Sequence, residues 1–128
     1  MVRGATVRLD FFVQGKPVPD ARSRTRGGQH YTPARVRQWR ETVLLAWFQA
    51  QDCESFEGPV CLVLGFAFTD KRKRDLDNLA KAVMDALNGA AWLDDSQIVD
   101  LHIRKSHTDN AEWEGVKVEI SDVGGASA

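Results

Sequence analysis

Alternating side chains mark the strands of this chain. Apolar residues alternate with other residues at the period of a strand that buries one face. The stretches that show this alternation are 7–13, 60–68, 97–106 and 114–121. In the second stretch, five large apolar residues share one face. The opposite face carries Cys61, Val63, Gly65 and Ala67, which are small enough for close packing under a helix or another sheet layer.

Two helices follow from apolar residues at helical spacing, over about 32–51 and 77–88. Threonine and proline at 32–33 are a typical helix start, and asparagine and glycine at 88–89 are a typical helix end. Residues 21–30 are basic, contain glycine and show no apolar period. This segment is therefore predicted to be a loop.

The resulting element order, β-α-β-α-β-β, predicts a small α/β domain with a mixed or antiparallel sheet. A length of 128 residues suits a single domain, which we place at 1–122, with a flexible tail at 123–128. The longest uncharged apolar stretch is about nine residues, too short to cross a bilayer, and no signal peptide is visible. The two cysteines have no disulfide or zinc spacing, so we expect a cytoplasmic protein in which Cys61 is a buried, small apolar residue.

The net charge of −1 conceals a basic half and an acidic half. Residues 1–50 carry nine Lys and Arg against three acidic residues, a net +6, whereas residues 51–128 carry eight against fifteen, a net −7. The basic half includes Lys16 and the loop arginines Arg22, Arg24 and Arg26. Arginine forks match phosphate oxygens, which favours a surface that contacts the nucleic-acid backbone. The alternative for the same residues is a solvated surface loop.

The most informative segment surrounds Asp75 and Asp77. Residues two apart in extended backbone project to the same side, so both carboxylates can reach one ion. Asp94 and Asp95 follow one helix length downstream, where the chain can double back and return further carboxylates to the same region. Such oxygen ligands suit Mg²⁺, with Mn²⁺ as a substitute. The four cations at 71–74 would then place a phosphate beside the metal.

A purely structural interpretation of these residues stays open. Asp75 or Asp77 would cap the helix, and Lys81 would pair with Asp77 or Asp85 on the same helix face. The histidines have no ligand spacing, and His102 is expected to be a surface residue on the polar face of its strand.

Taken together, these motifs resemble the RusA family of Holliday junction resolvases. The resemblance covers about residues 7–120. Its most specific blocks are R-D-L-D-N-L-A-K at 74–81 and W-L-D-D-S-Q-I-V at 92–99, joined by G-K-P-V-P at 15–19, Y-T-P at 31–33 and D-A-L-N-G at 85–89. The resemblance implies an α/β homodimer that binds four-way and other branched DNA and resolves the four-way junction with Mg²⁺ by paired symmetric nicks, in recombination and repair.

The resemblance also implies roles for matching positions. Asp75, Asp77 and Asp95 match the family's three metal-gathering aspartates, and Lys81 matches the lysine that follows them. Arg74 matches the arginine before them. Lys81 and Arg74 would hold the scissile phosphate or stabilise its developing charge, and we add Arg72 and Lys73 to the DNA footprint. The small face of the second strand and Trp113 are candidate dimer contacts.

Two other functions compete with this one. A glycosyltransferase-type D-x-D motif would hold a nucleotide-sugar, but the chain is too small for it and lacks a glycine-rich nucleotide fold. A non-catalytic protein of the same fold that binds junctions would keep the basic surface without the chemistry. Cleavage in Mg²⁺ separates this binding protein from the enzyme.

Overall fold

The computed structural model describes residues 7–20, 24–26, 29–50 and 55–123. Its larger elements are two helices and one four-stranded sheet, joined by a small hairpin and two short 3₁₀ turns at Asp95–Gln97 and Ala111–Trp113. In chain order the elements are β1 (Arg8–Gln14), β2 (Arg24–Arg26), β3 (Gln29–Tyr31), α1 (Ala34–Ala50), β4 (Val60–Phe68), α2 (Leu76–Leu87), β5 (Ile98–His107) and β6 (Gly115–Asp122). The predicted α/β class is confirmed. Neither helix in these ranges has the length and apolar character needed to cross a membrane.

The main sheet has the strand order β1-β6-β4-β5. β4 and β5 are parallel, whereas β6 is antiparallel to both β1 and β4. The sheet is therefore mixed, one of the two predicted arrangements. Parallel strands need a crossover, and α2 supplies it by running back along the sheet between the end of β4 and the start of β5.

One face of the sheet and both helices form the core. The five large side chains of β4 are all buried, as the alternation predicts. They share one apolar cluster with Trp39 and Trp47 of α1, with Leu79 and Val83 of α2, and with Trp92. The predicted helices are confirmed, although α1 begins at Ala34 rather than at residue 32.

Two expectations were wrong. The segment predicted as a loop contains the β2–β3 hairpin, in which Arg24 pairs with Tyr31 and Arg26 with Gln29. Its strands are short and polar, so they show no apolar period, and the only local hint is the Gly-Gly dipeptide between them.

The tail predicted at 123–128 is described only at its first residue, Val123, whose amide donates to the Pro59 carbonyl (3.1 Å).

The second wrong expectation concerns the small face of β4. Cys61, Val63, Gly65 and Ala67 are half-buried, and a side chain at Gly65 would meet open space. Within the described ranges, no helix or second sheet covers them. Polar neighbours on β5 and β6 share this open face, so the domain has two layers rather than three.

Candidate active site

The paired aspartates lie at the start of α2. Asp75 occupies the N-cap position in extended backbone, but its side chain accepts no capping hydrogen bond. The Asp77 carboxylate accepts from the Asn78 amide (2.9 Å), and the Asn78 side chain lies 3.5 Å from the Asp75 carboxylate. Both aspartates are exposed. Helix capping therefore does not account for the Asp75 side chain.

The nearest cation along the helix does not pair with these aspartates. Among the described residues, no ion pair includes Asp75, Asp77 or Asp95. Lys81 lies one turn after Asp77, yet its ammonium pairs with Asp85 (3.0 Å) and Asp20 (3.4 Å). The hydrogen bond to Asp85 is the main cause of the raised pKa of Lys81. The Lys81 ammonium is thus held toward the following turn of the helix and away from Asp77.

A four-charge network fixes Lys81 in this position. The Arg40 guanidinium of α1 donates to Asp20 (2.7 Å) and to Asp85 (3.2 Å), the two carboxylates that also hold Lys81. Asp20 is only 10% exposed at its side chain, and its amide donates to the Asn78 carbonyl (2.9 Å). The network thereby joins α1, α2 and the segment after β1. The i, i+4 spacing anticipated the pair with Asp85, but sequence reasoning missed Asp20 and Arg40.

Asp70 organises the basic segment that precedes the aspartates. Both terminal guanidinium nitrogens of Arg74 donate to the Asp70 carboxylate (2.7 and 3.1 Å), and the Lys16 ammonium donates to it as well (2.9 Å). These cations, Arg74 first, hold the pKa of Asp70 well below its usual value. The Arg74 guanidinium also lies 4.0 Å from the centre of the Phe68 ring and is only 10% exposed at its side chain. Arg74 is therefore partly buried and anchors this segment.

Glu114, directly before β6, supports the same segment and was missed by sequence reasoning. Its buried carboxylate accepts from both the amide and the hydroxyl of Thr69 (2.8 Å each) and lies 3.9 Å from the Lys16 ammonium. The hydrogen bond from the Thr69 amide is the main cause of the lowered pKa of Glu114. A lone glutamate in a turn carries no sequence signal for such a role.

The remaining predicted DNA contacts divide into two groups. Arg72 and Lys73, together with Lys71, are exposed and are separated from the aspartates by Arg74. The backbone amide of Arg72 donates to the Asp70 carboxylate (3.1 Å). Arg22 and the side chains of Arg24 and Arg26 lie outside the described residues.

Asp95 lies in a different place. Its carboxylate accepts from the Trp92 indole (2.7 Å), while Asp94 caps the 3₁₀ turn in a capping box with Gln97. The Gln97 side chain in turn donates to the Phe56 and Gly58 carbonyls just before β4. This turn is therefore tied to the end of the sheet where β4 begins.

The start of α2 is tied to the opposite end. The Lys105 ammonium donates to the Arg74 carbonyl (2.9 Å), and Lys105 pairs in the sheet with Phe66, near the end of β4. The twelve residues of α2 separate the two groups by about 18 Å at about 1.5 Å per residue. The expectation that Asp95 returns to Asp75 within one chain is therefore not met.

Comparison with known proteins identifies the family of this chain. The family model for endodeoxyribonuclease RusA matches residues 14–121. The chain belongs to the RusA family. Crossover junction endodeoxyribonuclease RusA of Escherichia coli and its namesake from Enterobacteria phage 82 are each 50% identical to this RusA-family chain over 48 residues. Those residues are 37% of this chain and 40% of each relative, so the match spans less than half of the relatives' length.

A more distant relative aligns over a greater length. The uncharacterized protein YqaN of Bacillus subtilis is 28% identical to this RusA-family chain over 138 aligned positions. That alignment includes 88% of this chain and 97% of YqaN.

Proposed function

We propose that this RusA-family chain is a metal-dependent endodeoxyribonuclease that resolves four-way DNA junctions, as a homodimer, by paired symmetric nicks in recombination and repair. One observation carries the proposal. Two exposed carboxylates, Asp75 and Asp77, lie at the start of α2 and have no cationic partner among the described residues; Arg74 separates them from the three exposed cations at 71–73. Unneutralised carboxylates suit a divalent cation, and adjacent cations suit phosphate.

The donor set at this position fits Mg²⁺ or Mn²⁺. Asp75 and Asp77 offer hard oxygen atoms only, and Asp75 keeps its side chain free of any capping role. Among the described residues, only the Trp92 indole donates to the Asp95 side chain, which leaves its other oxygen for a ligand. When bound, the ion would lower the pKa of a water molecule and stabilise negative charge on the phosphodiester.

The chain's own cations would bind and orient the DNA. Lys71, Arg72 and Lys73 would hold backbone phosphates beside the aspartates. Lys81 would exchange Asp85 for the scissile phosphate, because its side chain is 58% exposed and its i, i+4 position lets it turn back toward Asp77. Arg74 and Asp70 would keep the segment rigid while this exchange takes place.

A second copy of the chain would complete each site. Asp95 and Asp75 lie at opposite ends of the β4–β5 pair, so one copy does not supply all three ligands together. β5 is an edge strand of ten residues, and Val99 and Leu101 on it are exposed (59% and 38%). Antiparallel pairing of two β5 edges about a two-fold axis would place the Asp95 end of one copy beside the Asp75 end of the other. This arrangement favours β5 over Trp113 and the small face of β4 as the dimer contact.

Junction cleavage tests the proposal directly. A labelled four-way junction and a linear duplex of the same sequence are each incubated with the protein, with and without Mg²⁺. Paired nicks in the junction that require the metal, with the duplex left intact, are the expected result. Binding with no cleavage in Mg²⁺ or Mn²⁺ would instead support the non-catalytic junction-binding protein.

A further inference from the structure

The open face of the sheet carries a thiol, a carboxylate and an imidazole that converge. Cys61 lies on β4, and Asp100 and His102 lie on the neighbouring strand β5. The Cys61 sulfur is 3.8 Å from one Asp100 oxygen, and the His102 Nε2 is 3.0 Å from the other. All three ligand atoms lie within 4.8 Å of one another. Among the described residues, no other set of three such groups is this close.

The strand register produces this convergence. Cys61 pairs with Asp100 across the parallel ladder, and His102 follows Asp100 by two residues, so all three side chains share one face of the sheet. β4 is an interior strand, hydrogen-bonded on both sides, and its alternate residues are fixed in the core. The three groups therefore stand on a rigid base, and only their side-chain torsions remain to adjust.

The donor set suits zinc rather than magnesium. Zn²⁺ takes thiolate, imidazole and carboxylate ligands at about 2.0–2.3 Å, which in a tetrahedron places the ligand atoms roughly 3.3–3.8 Å apart. The observed distances, 3.8 Å from the sulfur to one Asp100 oxygen and 3.0 Å from the His102 Nε2 to the other, lie close to that range.

The surrounding charge also favours a cation. The Asp100 carboxylate lies 3.8 Å from the Cys61 sulfur, and Glu119 of β6, which pairs with Val63, shares the same face of the sheet. The local field is therefore negative at the sulfur. Cys61 is half-buried, whereas Asp100 and His102 are exposed, so an ion has access from solvent.

We propose that Cys61, Asp100 and His102 form a binding site for one Zn²⁺ or a similar thiol-preferring divalent ion. The site is independent of the proposed nuclease centre, because it uses none of the residues of that centre. It has three protein ligands and leaves a fourth position to water, which makes the ion exchangeable. The bound ion links β4 to the edge strand β5.

Cobalt titration of the full-length protein tests the site. Co²⁺ reports a cysteine ligand by a sulfur-to-metal absorption band in the near ultraviolet and a tetrahedral site by intense visible bands. One equivalent should develop both signals, a tenfold excess of Mg²⁺ should leave them unchanged, and Zn²⁺ should abolish them. Absence of the thiolate band in the wild-type protein overturns the proposal.

Matched variants assign the ligands. C61S should lose the thiolate band, and D100N and H102N should each weaken Co²⁺ binding at least about tenfold, a loss that even an outer partner of a ligand can cause. C53S removes the chain's other cysteine, and H107N removes a histidine that pairs with Asp109 (2.9 Å). Both controls should bind Co²⁺ like the wild type. A thiolate band that survives in C61S, or disappears in C53S, contradicts the assignment.

Discussion

Arg40 holds together the network around Lys81, so its removal gives the most informative stability measurement. Arg40→Met keeps the aliphatic stem but deletes the guanidinium that donates to Asp20 and Asp85. Loss of one partner of a buried ion pair costs about 3–5 kcal/mol, whereas an exposed pair contributes about 0–1 kcal/mol. The Arg40 and Asp20 side chains are 29% and 10% exposed, between these limits. We therefore expect a loss of about 2 kcal/mol in the free energy of unfolding, an intermediate value on those two scales.

Urea unfolding at neutral pH measures this loss, and the thermal unfolding midpoint should fall by roughly 6–10 °C for a chain of this length. Arg35→Met is the matched control, because Arg35 is exposed on the same helix. The control should lie within about 0.5 kcal/mol of the wild type, as surface substitutions do. If Arg40→Met unfolds with the same midpoint as Arg35→Met, the network contributes nothing measurable and Lys81 is not positioned by it.

Three further predictions concern binding, chemistry and pH. Replacing all three cations at 71–73 with glutamine should reduce the magnitude of the slope of log binding constant against log salt by about 2.7. This value is about 0.9 for each phosphate that the protein no longer neutralises. An unchanged slope would mean that these cations do not contact the DNA. Asp77→Asn should reduce the junction-cleavage rate roughly a thousandfold or more while DNA binding survives. Asp94→Asn keeps a side chain that can cap the turn, so its cleavage rate should fall only slightly. Equal cleavage rates for the two variants would contradict the assigned roles. Asp70→Asn should lower the urea midpoint at pH 7, and the gap to the wild type should narrow progressively as the pH falls below about 4. The reason is that a carboxylate whose pKa is lowered by folding stabilises fully only above its unfolded value. A gap that stays constant down to pH 2.5 would contradict the ion pair with Arg74.

The sequence predicted those features that repeat along the chain. The alternation in β4 correctly identified its buried face, since a strand with five large side chains on one side has only one way to bury them. The helical stripe of α2 was equally clear. The hairpin at residues 24–31 was missed because its strands are polar and three residues long, and backbone pairing alone defines them.

The site was only partly predictable, because its geometry depends on chain direction. Spacing placed Asp75 and Asp77 together at a helix start, as the structure has them. Spacing could not reveal that β5 runs parallel to β4, which carries Asp95 to the far end of the sheet. Likewise, the choice of Asp85 over Asp77 as the partner of Lys81 depends on Asp20 and Arg40, which come from distant parts of the chain.

Complementation between two inactive variants tests the central claim, that each nuclease site takes Asp75 and Asp77 from one copy and Asp95 from another. Asp77→Asn and Asp95→Asn are each purified as inactive proteins, mixed, unfolded together and refolded. A mixed dimer then contains one site with every aspartate intact and one site that lacks two. We predict that Mg²⁺-dependent nicking of one junction strand returns at about a quarter of the wild-type rate, because half of the dimers are mixed and each has one of two sites.

Asp75→Asn mixed with Asp77→Asn is the matched control, since both changes lie on the same side of the site and no mixed dimer has an intact one. This control should stay inactive under the same refolding. Because the two variants of each pair have the same mass, one of them is isotopically labelled, and mass measurement of the intact dimers then establishes that mixed dimers have formed. If they have formed and the Asp77→Asn and Asp95→Asn mixture still makes no nick, the three aspartates are not shared between copies and the account is contradicted.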